Sequence, residues 1–116
     1  MKSLLPFKKP SKLKKPIIVR RVAGHSMMPT LPPGTLVIGW CFARRVKPGQ
    51  VIIIEHDNKQ KVKRVDVVRG SELYIIGDHL GTSTDSRHFG WVPADQLVAR
   101  IIWPRTKIKN VHYTLN

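Results

Sequence analysis

The chain has 116 residues and a net charge of +14, from 21 Lys and Arg against 7 Asp and Glu. This length suits one domain built around one core. The single cysteine, Cys41, excludes an intramolecular disulfide framework and any multi-cysteine zinc site, so the fold has to rest on packing.

Residues 1–16 are rich in Lys and Pro and lack apolar periodicity, so we predict a flexible basic arm. The first 21 residues contain no acid and eight cations: Lys2, Lys8, Lys9, Lys12, Lys14, Lys15, Arg20 and Arg21. Such a block either stays solvated or is attracted to a polyanion, which would be an anionic lipid surface or nucleic acid.

Apolar runs in the sequence are short. None approaches the roughly 20 residues that span a bilayer, and the run from Leu4 to Phe7 is interrupted by proline and too short for a signal peptide. We therefore expect the chain to be soluble or peripheral, located in the cytoplasm or at a membrane surface.

Residues 17–116 predict a single all-β domain, because short β-branched runs alternate with turn residues and no segment favours a helix longer than a turn or two. The predicted strands are 17–23, 35–42, 50–56, 60–68, 72–76, 91–93 and 97–103. The most β-prone of them, 50–56, is expected to be central, and Asp57, Asn58 and Lys59 to form a hairpin turn. The expected architecture is a small, half-closed antiparallel barrel.

Ser26 follows the first predicted strand. Gly24 precedes it, and Pro29 stops the strand because proline cannot continue a paired strand. We therefore expect Ser26 at a strand end, in extended chain. A serine beside Gly and Pro is by default an ordinary turn residue, so any chemical role depends on the rest of the sequence.

Three motifs change that expectation. They are Gly24-His25-Ser26-Met27-Met28-Pro29-Thr30-Leu31, Val62-Lys63-Arg64-Val65 and the segment from Gly77 to Pro93. In type and order they resemble the motifs of the signal peptidase I family, serine proteases whose general base is a lysine. The resemblance covers roughly residues 20 to 103. It implies a minimal catalytic core without the family's transmembrane helices, similar in extent to the self-cleaving repressor domains and to the maturation protease of nickel superoxide dismutase.

The resemblance assigns the nucleophile to Ser26 and the general base to Lys63. A lysine can act as a base near neutral pH only if burial lowers its pKa from about 10.4, and Lys63 is flanked by Val62 and Val65 in mid-strand. Lys61, on the same strand face, is the rival base. A histidine base is a further alternative that the positions of the histidines disfavour. The histidines also show no metal-ligand spacing, so we predict no metal or cofactor. The histidines are His25, His56, His79, His88 and His112.

Further roles also come from the resemblance. Ser83 matches the position whose hydroxyl orients the lysine, and the backbone N–H of Ser26 is the first candidate for the oxyanion hole. Some relatives place a second oxyanion donor where this chain has Gly24, which lacks a side chain. The charged positions expected to fix the closing loop are Asp78, Asp85 and Arg87. The residues expected either to shape the substrate cleft or to pack in the core are Met27, Pro29 and Leu31.

The sequence thus predicts a serine endopeptidase that removes a leader, signal or propeptide from a precursor bound as an extended strand. The alternative is a non-catalytic basic module that binds an anionic membrane or nucleic acid. Nucleic acid is disfavoured because Trp40, Trp91 and Trp103 are not interleaved with Lys or Arg as a stacking platform requires. Self-cleavage is disfavoured because the arm contains no Ala-Gly segment.

Overall fold

The computed structural model describes residues 15–79, 81 and 84–106. Within this part of the chain the strands are β1 (Ile17–Arg21), β2 (Leu36–Trp40), β3 (Val51–His56), β4 (Lys59–Arg69), β5 (Glu72–Ile76), β6 (Val92–Pro93) and β7 (Leu97–Trp103). Two short helical segments are α1 (Ser86–Phe89) and a 3-10 turn (Ala94–Gln96). Most of the predicted basic arm, residues 1–14, lies outside the described residues.

The strands form one antiparallel sheet in the order β1-β2-β7-β3-β4-β5-β6. Three strands separate β1 from β4 in this order, yet Arg20 Nε on β1 donates a 2.8 Å hydrogen bond to Gln60 Oε1 on β4. The sheet therefore curls until its first strand reaches β4. This curled half-barrel confirms the predicted all-β fold class.

β3 is central, as predicted, because it pairs with β4 on one side and with β7 on the other. Its residues Val51 to Ile54 are all buried, and successive side chains in a strand point to opposite faces. Val51 and Ile53 belong to one apolar cluster, whereas Ile52 and Ile54 belong to a second. The core thus lies on both faces of β3, which explains its unbroken apolar run.

The predicted hairpin turn joins β3 to β4, but it is one residue shorter than expected. Asp57 and Asn58 form the loop, with φ values of 54° and 61°, and Lys59 is already the first residue of β4. Two-residue hairpin loops require left-handed backbone, which Asn and Asp tolerate better than most residues. The turn fixes the β3–β4 register and so the position of Lys63 opposite Ile52.

The helices in the described ranges contain four and three residues. None of them is long or apolar enough to cross a membrane.

Candidate active site

Ser26 lies in a turn, so the prediction that it ends a strand in extended chain was wrong. β1 ends at Arg21, two residues earlier than predicted. Gly24 then adopts a left-handed φ of 79°, which bends the chain out of the extended direction. The backbone N–H of Leu31 donates to the carbonyl of Met27 at 2.8 Å, so the chain coils directly after Ser26.

The turn is held from two sides. Met27 and Leu31 are each 1% exposed and belong to the first apolar cluster. The backbone carbonyl of Ser26 accepts a 2.8 Å hydrogen bond from the N–H of His79, in the loop after β5. Ser26 itself stays half-buried at the surface of this anchored turn.

Lys63 lies in the middle of β4 and is only 5% exposed. Burial lowers the pKa of Lys63 from its ordinary value of 10.5, because a charged amine loses its hydration in the interior. Asp85 acts in the opposite direction, while the charges of Lys61 and Arg87 lower the pKa further. The environment therefore favours a neutral amine more than water does.

Ser26 and Lys63 line the same cleft, which has a volume of about 300 Å³. The end of β1 and the chain after it form one wall, and the beginning of β4 forms the other. The lining residues are Arg20, Arg21, Val22, Ala23, Ser26, Met27, Ile53, Gln60, Lys61, Val62, Lys63 and Thr84. Ser26 and Lys63, whose pKa is lowered, thus both border one partly enclosed space.

Asp78 is bound by a guanidinium that the sequence-based prediction did not assign to it. Arg64 Nε donates a hydrogen bond to Asp78 Oδ1 and Arg64 Nη2 donates one to Asp78 Oδ2, both at 2.8 Å. Thr30 Oγ1 donates a further hydrogen bond to Asp78 Oδ2. Arg64 is fully buried, and its Nη1 donates to the carbonyl of Gly49 at 2.6 Å. The pair joins β4 to the loop that follows β5.

Asp85 organises the same loop further along. Its buried carboxylate accepts hydrogen bonds from the N–H of Gly77 at 2.8 Å and from Arg87 Nε and Nη2 at 2.9 and 2.6 Å. It also caps α1 by accepting from the N–H of Arg87. Ser86 Oγ accepts from the N–H of Ile75 at 2.8 Å. The loop is therefore fastened to the end of β5 by buried polar contacts.

Comparisons with known proteins all indicate peptidases. Residues 56–105 match the family described as signal peptidase, peptidase S26, and residues 2–79 match the peptidase S24-like family. The mitochondrial inner membrane protease subunit 1 of Schizosaccharomyces pombe is 30% identical over an aligned length of 115 residues, and the match covers 74% of this chain and 73% of that protein. The chain belongs to the signal peptidase I-like family.

A second relative is the mitochondrial ATP-independent inner membrane protease subunit 1b of Arabidopsis thaliana. It is 31% identical over an aligned length of 109 residues, and the match covers 69% of this chain and 64% of that protein. The match thus spans less than two thirds of the Arabidopsis protein.

The structure brings only some of the other residues predicted for the site to the cleft. Of the three residues expected to shape the cleft, Met27 is among those that line it. Leu31 is buried beneath the turn and Pro29 is exposed, and neither is a lining residue. Ser83 lies outside the described residues, so its predicted contact with Lys63 stays a prediction.

None of the histidines that the structure describes is among the residues that line the cleft. His25 is exposed, and His56 contacts Lys61 and stacks on Phe89. His112 lies outside the described residues. Among residues 15–79, 81 and 84–106, no group of three or more His, Cys, Asp or Glu side chains is arranged to hold a metal.

Four polar or charged lining residues were not assigned to the site from the sequence: Arg20, Arg21, Gln60 and Thr84. The two arginines belong to the basic N-terminal block, where nothing in the sequence distinguishes them from the other cations. Only the curl of the sheet brings them opposite β4. A fold-level prediction of which strands meet across the barrel would have been needed to find them.

Proposed function

We propose that this chain is a serine endopeptidase in which Ser26 and Lys63 form a catalytic dyad that removes a leader, signal or propeptide from a precursor protein. The observation that carries the proposal is that Ser26 and the buried Lys63, whose pKa is lowered, line one cleft. Membership in a family of peptidases supports it.

In the proposed mechanism Ser26 Oγ attacks the scissile carbonyl while the neutral amine of Lys63 accepts the hydroxyl proton. The resulting ammonium donates that proton to the leaving amine as the C–N bond breaks. Lys63, neutral again, then removes a proton from the water that attacks the acyl-enzyme and returns it to Ser26 Oγ as the ester C–O bond breaks. The backbone N–H of Ser26 is the first donor to the oxyanion, and each such donor contributes about 3–4 kcal/mol. Gly24 offers no side-chain hydroxyl as a second donor.

The proposed substrate is an extended precursor segment that lies in the cleft between β1 and β4. Extended peptides bind well beside exposed strand edges, because main-chain groups supply affinity without a particular sequence. β1 is an edge strand of the sheet, and its last two residues line the cleft. The names of the two relatives, both inner membrane proteases, favour a precursor that is processed at a membrane.

Peripheral contact with an anionic membrane is part of the proposal. Directly paired residues of antiparallel strands share a face, so the pairs Ile17–Trp40, Val19–Ile38 and Ile38–Trp103 place these five side chains on one side of β1, β2 and β7. Ile17, Val19 and Trp103 are 45%, 53% and 54% exposed. An exposed apolar patch with tryptophans beside a basic chain end suits a lipid interface.

The membrane proposal is tested by sedimentation with phosphatidylcholine vesicles that contain or lack phosphatidylserine. We expect binding at low salt to the anionic vesicles and a loss of binding in Val19→Glu. Val68→Glu, which changes an exposed valine on β4, is the matched control and should bind like wild type. Equal binding by both variants, or none by wild type, would contradict membrane contact through this face.

The dyad is tested by incubating wild type, Ser26→Ala and Lys63→Met with a peptide library and identifying products by mass spectrometry. We expect cleavage by wild type alone, with each variant reduced by at least about 1,000-fold, because a serine without its base is a poor nucleophile. Ser71→Ala and Lys47→Met, which alter an exposed serine and an exposed lysine, are matched controls that should stay active. If all folded proteins are equally inert, the non-catalytic binding module becomes the better explanation.

A further inference from the structure

The cleft is markedly cationic. Arg20, Arg21, Lys61 and Lys63 line it, and none of the described residues that line it is acidic. A neutral Lys63 is required by the proposed mechanism, which leaves three positive charges around the proposed scissile bond. Glu55, the cross-strand partner of Gln60, is exposed and is not among the lining residues.

Lys61 is held at the cleft by contacts that do not neutralise it. Its Nζ lies 3.1 Å from His56 Nδ1 and 5.1 Å from the centroid of the Phe89 ring. His56 in turn stacks on Phe89 with a centroid distance of 4.0 Å. An ammonium carries three N–H donors, and an imidazole nitrogen accepts one of them. These contacts limit the rotamers of a side chain that is otherwise mobile and keep its charge beside Lys63.

Arg20 and Arg21 are likewise held by neutral acceptors. Arg20 Nε donates to Gln60 Oε1 at 2.8 Å, and its Nη1 donates to the carbonyl of Val19. Arg21 Nη1 donates to the carbonyl of Gly34 at 2.8 Å. Within the described residues, the ion pairs involve neither these two arginines nor Lys61. In this part of the chain their charges are therefore positioned without an ion-pair partner.

We propose that this cleft selects precursor segments that carry an Asp or Glu side chain within about two residues of the scissile bond, a selection that rests on the proposed endopeptidase function. Lys61 and Lys63 are two residues apart on one face of β4, which corresponds to about 7 Å along a strand. An extended substrate has the same rise per residue. A carboxylate that reaches Lys61 is therefore about two residues from a carbonyl that is attacked beside Lys63.

The same charges reject basic segments. Positive side chains on the walls of a partly enclosed cleft raise the local potential, which attracts a carboxylate and repels Lys or Arg. Discrimination therefore comes from repulsion of the wrong segment as well as from attraction of the right one. Salt screens both effects, so the selectivity falls as ionic strength rises.

The test uses peptides that are identical except for Glu, Gln or Lys at one position within two residues of the bond that wild type cuts. Wild type is assayed by kcat/KM for each peptide, and Ser26→Ala by the dissociation constant of the uncut peptide. We expect Glu to be preferred over Gln by about tenfold and over Lys by more, at low salt. Lys61→Met should remove most of the preference, and Lys61→Glu should reverse it in favour of Lys.

Lys47→Glu is the matched control, because it makes the same charge change on an exposed lysine outside the cleft lining and should keep the preference. Ratios between peptides are compared within each variant, so a general change in rate does not affect the result. Equal kcat/KM values of wild type for the Glu and Gln peptides would overturn the proposed selection. Equal changes of the peptide preference in Lys61→Glu and Lys47→Glu would overturn it as well. If wild type cuts no peptide, the endopeptidase proposal fails, whereas the binding preference of Ser26→Ala still supports or overturns the charge selection.

Discussion

Arg64 holds both carboxylate oxygens of Asp78 in two hydrogen bonds of 2.8 Å. Arg64 directly follows Lys63 on β4, and Asp78 directly precedes His79, whose N–H donates to the carbonyl of Ser26. The ion pair therefore connects the strand of the proposed base to the turn of the proposed nucleophile in a single chain of contacts. Its role in the proposed reaction is positional, since it sets where the two elements lie relative to each other.

We expect Asp78→Ala to lower the free energy of unfolding by about 3–5 kcal/mol, because it leaves the fully buried guanidinium of Arg64 without its carboxylate. Urea denaturation at neutral pH measures the change. Asp95→Ala, which removes an exposed carboxylate, is the control and should stay within about 0.5 kcal/mol of wild type. Equal stability of the two variants would show that Arg64 is satisfied without Asp78.

The pH dependence of activity should report the pKa of Lys63. Because the neutral amine is the proposed base, kcat/KM for an uncharged peptide should rise with pH through the lowered pKa of Lys63 and level off above it. The charge of Lys61 lowers that pKa, so Lys61→Met should move the rising limb to higher pH. Lys47→Met should leave the limb unmoved. A profile that does not respond to Lys61→Met would contradict Lys63 as the titrating group.

The sequence was sufficient to predict the elements whose signals are local. The run Val51 to His56 is apolar and β-branched and became the central strand, and Asp57 with Asn58 supplied the left-handed residues of a tight hairpin. The motif resemblance selects Lys63 rather than Lys61, because Lys63 is the lysine followed by Arg64 and Val65. The motif resemblance indicated the family correctly, since it depends on the order of short segments and not on how they pack.

Features that depend on distant contacts could not be predicted in this way. The bend at Gly24 removes Ser26 from extended chain, and a glycine in a sequence does not reveal the sign of its φ. The partner of Arg64 lies 14 residues away and is brought near by the β4–β5 hairpin. Arg20 meets Gln60 across 40 residues only because the sheet curls. The cationic character of the cleft follows from that curl.

Gly39 is expected to tolerate no side chain. A Cβ at this position of β2 would lie 2.7 Å from the Cβ of Ala99, close to Ile18 and Ile53. Gly39→Ala should therefore lower the free energy of unfolding by about 1–3 kcal/mol, as overpacking of a core does. The double variant Gly39→Ala with Ala99→Gly should recover part of the lost free energy of unfolding. Thermal or urea denaturation measures the change.

The control for this substitution is Gly81→Ala, because a Cβ at Gly81 has no neighbour within 4 Å among the described residues and the glycine has no left-handed φ. Its stability should match or slightly exceed that of wild type, since alanine restricts the unfolded chain. A similar loss in both variants would assign the effect to backbone flexibility and contradict the predicted clash with Ala99.

Lys63→Met should be more stable than wild type at neutral pH, although it is expected to be inactive. The unfolded chain keeps a proton on Lys63 up to about pH 10.4, whereas the folded protein releases it at lower pH because burial lowers the pKa of Lys63. Between these two pKa values the unfolded state binds more protons, so the stability of wild type rises with pH. Below the folded-state pKa, wild type carries the full cost of a buried ammonium, and methionine carries none.

The difference in unfolding free energy between Lys63→Met and wild type should therefore be largest at the lowest pH and shrink as the pH rises towards about 10. Urea denaturation of both proteins from about pH 6 to about pH 10 measures it, and the difference cancels the pH effects of all other groups. Lys47→Met, at an exposed lysine, should show a difference near zero throughout. A constant difference for Lys63→Met would indicate a packing effect alone and contradict a lysine that is deprotonated in the folded protein.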